Sequence, residues 1–187
     1  AWYIIDYAGG SLESVEKFPT VGGYATKSDT DHIERYLGEM YNILDYREQL
    51  MSARRTPRFA DYLAAKKETP DPRDPYGYMM LVIDGYDALV LEDESWKTSV
   101  LRLLVNGPRH GIRVVVTAPD VMSLPIKQQG QFSTAVVLNV ADASRMGSVI
   151  DSNIRQRIKS IPEQPGRGID TRSGMPSLIF VPKFEKI

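Results

Sequence analysis

The chain has 187 residues, 42% of them hydrophobic and 25% charged, which is ordinary for one globular domain with a sizeable core. A formal net charge of −1 gives no whole-protein electrostatic case for nucleic acid or an acidic membrane. The absence of cysteine excludes a disulfide framework, thiolate zinc and cysteine catalysis, and two histidines far apart, His32 and His110, leave little scope for a histidine-rich metal site.

In chain order, Trp2–Asp6 reads as the first strand. The sequence opens on Ala1 with this strand already under way, without a charged-then-apolar leader, and is expected to be a piece of a longer polypeptide. No apolar run approaches the about 20 residues that span a bilayer. Next, Ile33, Leu37, Met40, Leu44 and Met51 fall on one helical stripe, with Asp31 as N-cap and Glu34 completing a capping box. Arg54, Arg55 and Arg58 around Pro57 form a short basic cluster, read as a solvated helix end. Glu68–Tyr78, with Pro70, Pro72 and Pro75 among charges, reads as a surface loop.

The second strand, Met79–Asp84, is a continuous apolar run ending on a carboxylate. Trp96, Val100, Leu103 and Leu104 form a second helical stripe that stops at Asn106-Gly107-Pro108. Further strands are expected at Val114–Ala118, Thr134–Leu138 and Ser177–Val181. Short apolar strands alternating with helices predict an α/β fold with a mainly parallel sheet.

The chemistry centres on Asp84. Ligands of open parallel sheets bind at the carboxyl ends of the strands, and an Asp there can hold the waters of a nucleotide-bound Mg²⁺. This is the form of a Walker B strand; an Asp capping a neighbouring loop gives the same pattern. No G-x-x-x-x-G-K-[ST] phosphate loop occurs in the 187 residues. Gly85 stands where a hydrolytic ATPase would carry the Glu that orients the attacking water, and it also suits a tight turn. Thr117 can face a γ-phosphate or bond only to backbone. Arg109 can reach a neighbour's phosphate or remain solvated. Pro165-Gly166-Arg167-Gly168 reads as a turn, with room for backbone to approach a ligand.

In combination these pieces resemble the FtsK/SpoIIIE class of ring ATPases, and within it the EccC ATPases of type VII (ESX) secretion. The resemblance runs in order through Tyr3-Ile4-Ile5-Asp6-Tyr7-Ala8-Gly9-Gly10-Ser11-Leu12, Pro19-Thr20-Val21-Gly22-Gly23 and Arg47-Glu48-Gln49-Leu50-Met51. It continues through Leu81-Val82-Ile83-Asp84-Gly85-Tyr86, Gly111-Ile112-Arg113-Val114-Val115-Val116-Thr117-Ala118, Pro165-Gly166-Arg167-Gly168 and Leu178-Ile179-Phe180-Val181-Pro182. The Asp84-Gly85-Tyr86 form is similar to that of the later, degenerate EccC modules. The strand ending Thr117-Ala118-Pro119 departs from the Thr-Gln-Arg of DNA-pumping members.

The resemblance implies a RecA-like P-loop fold over residues 1–187, as a single domain whose Walker A strand and loop lie before Ala1. That strand belongs inside the sheet, so the sheet is expected to be incomplete without it. It further implies ATP and Mg²⁺ as ligands, with Asp84 as the metal-supporting residue and Thr117, Gly166, Arg167 and Gly168 around the nucleotide. Arg109 stands one residue away from the family's inter-subunit arginine. Catalysis is assigned to no residue.

The implied partners are neighbouring ATPase modules, in a ring, and small helical export substrates, with no nucleic acid. The implied place is the cytoplasmic side of the cell membrane, within a secretion complex. Three other readings stay open: a competent ATPase, with Asp87 or a neighbour supplying the missing carboxylate; a DNA translocase module; and a scaffold that binds no nucleotide.

Overall fold

The structure, a computed structural model, describes residues 1–138, 152–158, 167–171, 173 and 175–178. The chain divides into two compact units, Ala1–Pro119 and Asp120–Ile187.

The first unit is built on a four-stranded parallel sheet: β1 (Trp2–Asp6), β2 (Val21–Thr26), β3 (Met79–Asp84) and β4 (Ile112–Val116), in the order β2-β1-β3-β4. Strand burial follows position in this order. In central β1 and β3, Tyr3, Ile4, Ile5, Met79, Leu81 and Ile83 are all buried, whereas Val115 of the edge strand β4 is exposed. That gradient is the physical reason β1 and β3 read as continuous apolar runs.

Two long helices supply most of the remaining core. Helix α1 (Thr30–Ala53) buries Ile33, Leu37, Met40, Leu44 and Met51, the whole expected stripe. Helix α4 (Glu94–Asn106) buries Trp96, Val100, Leu103 and Leu104, and ends at Gly107. These two helices pack on each other, with α2 (Phe59–Glu68) and the short α3 (Tyr86–Glu92) between them in sequence.

Several local expectations are corrected. The N-cap of α1 is Asp29, not Asp31, which lies within the first turn. The Asp29 carboxylate turns back to accept bonds from Thr26 N (2.9 Å) and Thr26 Oγ1 (2.6 Å), so no capping box forms. Strand β2 was missed because Val21-Gly22-Gly23-Tyr24-Ala25-Thr26 has too few apolar side chains to signal one. Strand β4 begins two residues earlier than expected and ends before Thr117.

The segment Glu68–Tyr78 is not wholly a surface loop. Asp74 is 0% exposed and pairs with Arg47 of α1, which is also 0% exposed. The guanidinium meets the carboxylate twice, at 2.8 and 2.9 Å, and donates further bonds to the carbonyls of His110, Tyr76 and Gly77. Tyr62 Oη donates to Asp74 at 2.8 Å, Lys66 lies 3.2 Å away, and the Phe59 ring covers the guanidinium. Burial alone would raise the Asp74 pKa, but the bonds from Arg47 and Tyr62 outweigh it and hold the carboxyl below its ordinary value.

The second unit contains a three-stranded antiparallel sheet of β5 (Val136–Leu138), β6 (Arg167–Asp170) and β7 (Pro176–Leu178), in that order, with helices α5 (Ile126–Gln129) and α6 (Ser152–Ile158). Arg167 and Gly168 therefore open a strand rather than continue a turn. A Cβ at Gly168 would come within 2.9 Å of the Val137 carbonyl oxygen, so glycine is what lets β6 lie so close to β5. Gly166 and residues 179–181 of the last expected strand lie outside the described residues.

Candidate functional site

The parallel register brings four polar residues to one end of the first sheet. Thr26 is level with Asp6, and Asp6 is level with Asp84. Ile83 is level with Val116, which puts Thr117 beside Asp84 just past the end of β4. The row Thr26, Asp6, Asp84, Thr117 thus follows the strand order at the carboxyl edge, where ligand crevices of open α/β sheets form.

Asp6 is an internal clamp. It is 2% exposed, and its carboxylate accepts bonds from the backbone N–H groups of Ala8 (3.1 Å), Gly10 (3.1 Å) and Leu12 (3.0 Å) and from Tyr24 Oη (3.3 Å). Burial pushes its pKa up, yet the bonds from Leu12 and Gly10, with those of Tyr24 and Ala8, bring the net value below the ordinary carboxylate range. This one side chain fixes the Gly-rich turn after β1, and the turn delivers Ser11 to Asp84.

Asp84 faces outward by comparison. Ser11 Oγ donates to its Oδ2 at 3.2 Å and Thr117 Oγ1 donates to its Oδ1. The Thr117 hydroxyl in turn accepts from Gly85 N at 3.0 Å, while Thr117 N donates to Ile83 O at 2.9 Å and Tyr86 N to Thr117 O at 3.0 Å. Thr117 thus does not bond only to backbone: its main chain extends the ladder, and its hydroxyl sits on the Asp84 carboxylate. One carboxylate beside two hydroxyls fits Mg²⁺, which is commonly held by one or two carboxylates with waters and substrate phosphates. Among the described residues no group of three or more metal-ligating His, Asp or Glu side chains occurs, so a cation here would depend on such outside ligands.

Gly85 has φ +79° and is the N-cap of α3. A Cβ there would lie 3.2 Å from Tyr7 Cβ and 3.3 Å from Ala8 N. The left-handed backbone and the crowding by β1's exit both favour glycine, so the missing carboxylate is part of the local geometry.

Arg109 is not near Asp84. It lies on the 3₁₀ turn Gly107–His110, which precedes β4, and Ile112 pairs with Met79 at the start of β3. Asp84 is five residues further along β3, about 16 Å at ~3.3 Å per residue. Arg109 is exposed at the opposite end of the sheet. Arg167 and Gly168 belong to the second unit. Sequence reasoning gave Asp6 and Ser11 only a place in a family motif and no role at the site. The signal for Asp6 was available: it ends an apolar run as Asp84 does, with a Gly-rich turn to satisfy it.

A parallel sheet flanked by helices, with an acid and a threonine side by side at its carboxyl edge, is the framework of the P-loop ATPases. The profile of the FtsK/SpoIIIE family matches residues 1–129, and the chain belongs to that family. It is 30% identical over 171 residues to the ESX-1 secretion system protein EccCb1 of Mycolicibacterium smegmatis (strain MKD8), covering 90% of this chain and 28% of that protein.

Among solved structures it is similar to Thermomonospora curvata EccC (ATPases 2 and 3) in complex with a signal sequence peptide. There the TM-score is 0.85 at 28% identity, over 97% of this chain and 32% of that one. The ATPases 2 and 3 of EssC from Geobacillus thermodenitrificans share the fold, with a TM-score of 0.77 at 19% identity, over 100% of this chain and 34% of that one. The chain thus spans only about a third, or less, of the length of these relatives. Among the described residues no helix is long and apolar enough to cross a membrane.

Proposed function

We propose that the chain is a nucleotide-holding, weakly or non-hydrolysing module of a type VII secretion motor. The observation that carries this reading is the Asp84–Gly85 junction. An acid suited to Mg²⁺ stands beside Thr117, and the next residue has a backbone conformation that suits glycine and offers no carboxylate for the attacking water. Relatives in ESX secretion align with 90% or more of the chain, which supports reading both units as one module.

In this reading ATP with Mg²⁺ binds at the carboxyl edge of the sheet, with Asp84 supporting the metal and Thr117 facing the γ-phosphate. The module packs against neighbouring ATPase modules in a ring at the cytoplasmic face of the membrane, with Arg109 available to a neighbouring subunit. It regulates them and helps dock small helical export proteins. The signal peptide bound to the T. curvata relative supports the docking role.

The test is Mg·ATP binding and turnover by the natural polypeptide that carries this sequence, beside its Asp84→Ala variant. Binding without turnover at this module, weakened by the substitution, is the expected result. Turnover abolished by Asp84→Ala would make it a competent motor domain. Absence of binding would leave a scaffold in which Asp84 only pins Ser11 and Thr117.

A further inference from the structure

At the end of the first sheet opposite Asp84, a groove of about 370 Å³ is lined by Glu48, Met51, Ser52, Arg55, Thr56, Pro57, Arg109 and His110. Two exposed arginines reach it from separate elements, Arg55 from the end of α1 and Arg109 from the 3₁₀ turn before β4. Arg58, Arg73 and Arg102 each hold a carboxylate in this unit. Neither the Arg55 nor the Arg109 guanidinium has a hydrogen-bond or ion-pair partner among the described residues.

Arg55 is also in a place that ordinarily belongs to glycine. Thr56 N donates to Met51 O at 2.9 Å and Arg55 N to Ser52 O at 3.1 Å, the paired bonds of a Schellman turn, with Arg55 at its left-handed position (φ +52°). Arginine there carries backbone strain that glycine would not. The residue in this strained position lines the groove, where glycine would bring no charge. On the other side, the buried Arg47 donates to the His110 carbonyl at 2.8 Å, which fixes the turn that carries Arg109. The cationic rim is therefore built on anchored backbone.

We propose that this groove is a docking site for an acidic segment of a partner polypeptide, the two guanidinium groups gripping its carboxylate while Met51 and Pro57 receive an adjacent apolar side chain. Paired arginines suit a planar carboxylate, and the Ser52 and Thr56 hydroxyls add neutral polar contacts. A doubly charged phosphate fits less well. Glu48 lines the same groove and shares Arg102 with Asp45, and the carbonyl end of α1 adds negative potential. The volume lies at the low end of the range of small-ligand sites. This reading stands apart from nucleotide binding at Asp84.

The experiment is fluorescence anisotropy of the full chain with a labelled acetyl-Gly-Leu-Glu-Leu-Gly amide peptide, its Glu→Gln counterpart and inorganic phosphate as competitor. The Glu peptide is expected to bind about tenfold more tightly than the Gln peptide, a difference of the size of one charge-assisted contact. R55G and R109A are each expected to weaken it about tenfold, and R54A, outside the groove, to leave it unchanged. R55G should raise Tm while losing affinity, which separates docking from folding. Equal binding of the two peptides would overturn the proposal, as would unchanged affinity in R55G and R109A, no binding up to about 1 mM, or displacement by phosphate at lower concentration than by unlabelled peptide.

Discussion

Asp6 and Asp84 stand level on adjacent parallel strands, and their carboxylates have opposite surroundings. Asp6 is buried, and three backbone N–H groups and a tyrosine hydroxyl saturate it; among the described residues the partly exposed Asp84 accepts from two side-chain hydroxyls. The first organises the turn that presents Ser11. The second is the group to which the proposed function gives a ligand.

Asp6→Ala removes the acceptor for the turn's N–H groups. It is expected to cost about 2–3 kcal/mol, since bonds to a charged acceptor are lost and donors are left unpaired. Urea unfolding reads the loss, and faster amide exchange at Ala8, Gly10 and Leu12 identifies the turn as its source. Unchanged exchange there would contradict the clamp.

Gly85→Glu places a carboxylate in the position expected of a hydrolytic ATPase, but on a left-handed residue against Tyr7 and Ala8. The expected outcome is a loss of about 1–3 kcal/mol and no gain in ATP turnover. Gly85→Ala should lose a similar amount, because the strain comes from the Cβ. A Tm series with a phosphate-release assay distinguishes this from a simple missing group.

Arg47→Met leaves the buried Asp74 without its two-bonded guanidinium partner, and Asp74→Leu leaves the buried Arg47 with carbonyl acceptors but no counter-charge. Each is expected to destabilise by about 3–5 kcal/mol, and the double variant by clearly less than the sum. Tyr62 and Lys66 will retain part of the coupling, since both also contact Asp74. Chemical denaturation of the four-member cycle measures it.

Acid should unfold the first unit through the same carboxylates. The folded pKa values of Asp6 and Asp74 are lowered, so their stabilisation is complete above the unfolded value of about 3.9 and is lost as pH falls through the folded values. Asp71 is held down to about 2, chiefly by the Tyr46 hydroxyl with help from Arg73. Stability is thus expected to be flat near neutrality and to decline between about pH 4 and pH 2. Melts of Asp6→Asn and Asp74→Asn should start lower and slope less across that window.

The sequence by itself determined the elements whose evidence is local. The runs Trp2–Asp6 and Met79–Asp84 and the stripes of α1 and α4 are one-dimensional patterns, because burial on both faces of a strand or one face of a helix leaves a period in the residue order. The Asp84-Gly85 junction was legible for the same reason. What only the tertiary structure decided depends on residues distant in the chain. Asp6 and Asp84 become neighbours through strand register, and Ser11 reaches Asp84 because Asp6 fixes the turn between them. Asp74 is pulled out of a proline-rich, charged segment because Arg47, 27 residues earlier, is already buried and needs a counter-charge. Arg109 and Asp84 lie at opposite ends of the sheet because β3 and β4 run parallel. Hydrophobic periodicity records which face is buried, whereas the pairing of charges records which segments meet, and that is set only when the chain closes on itself.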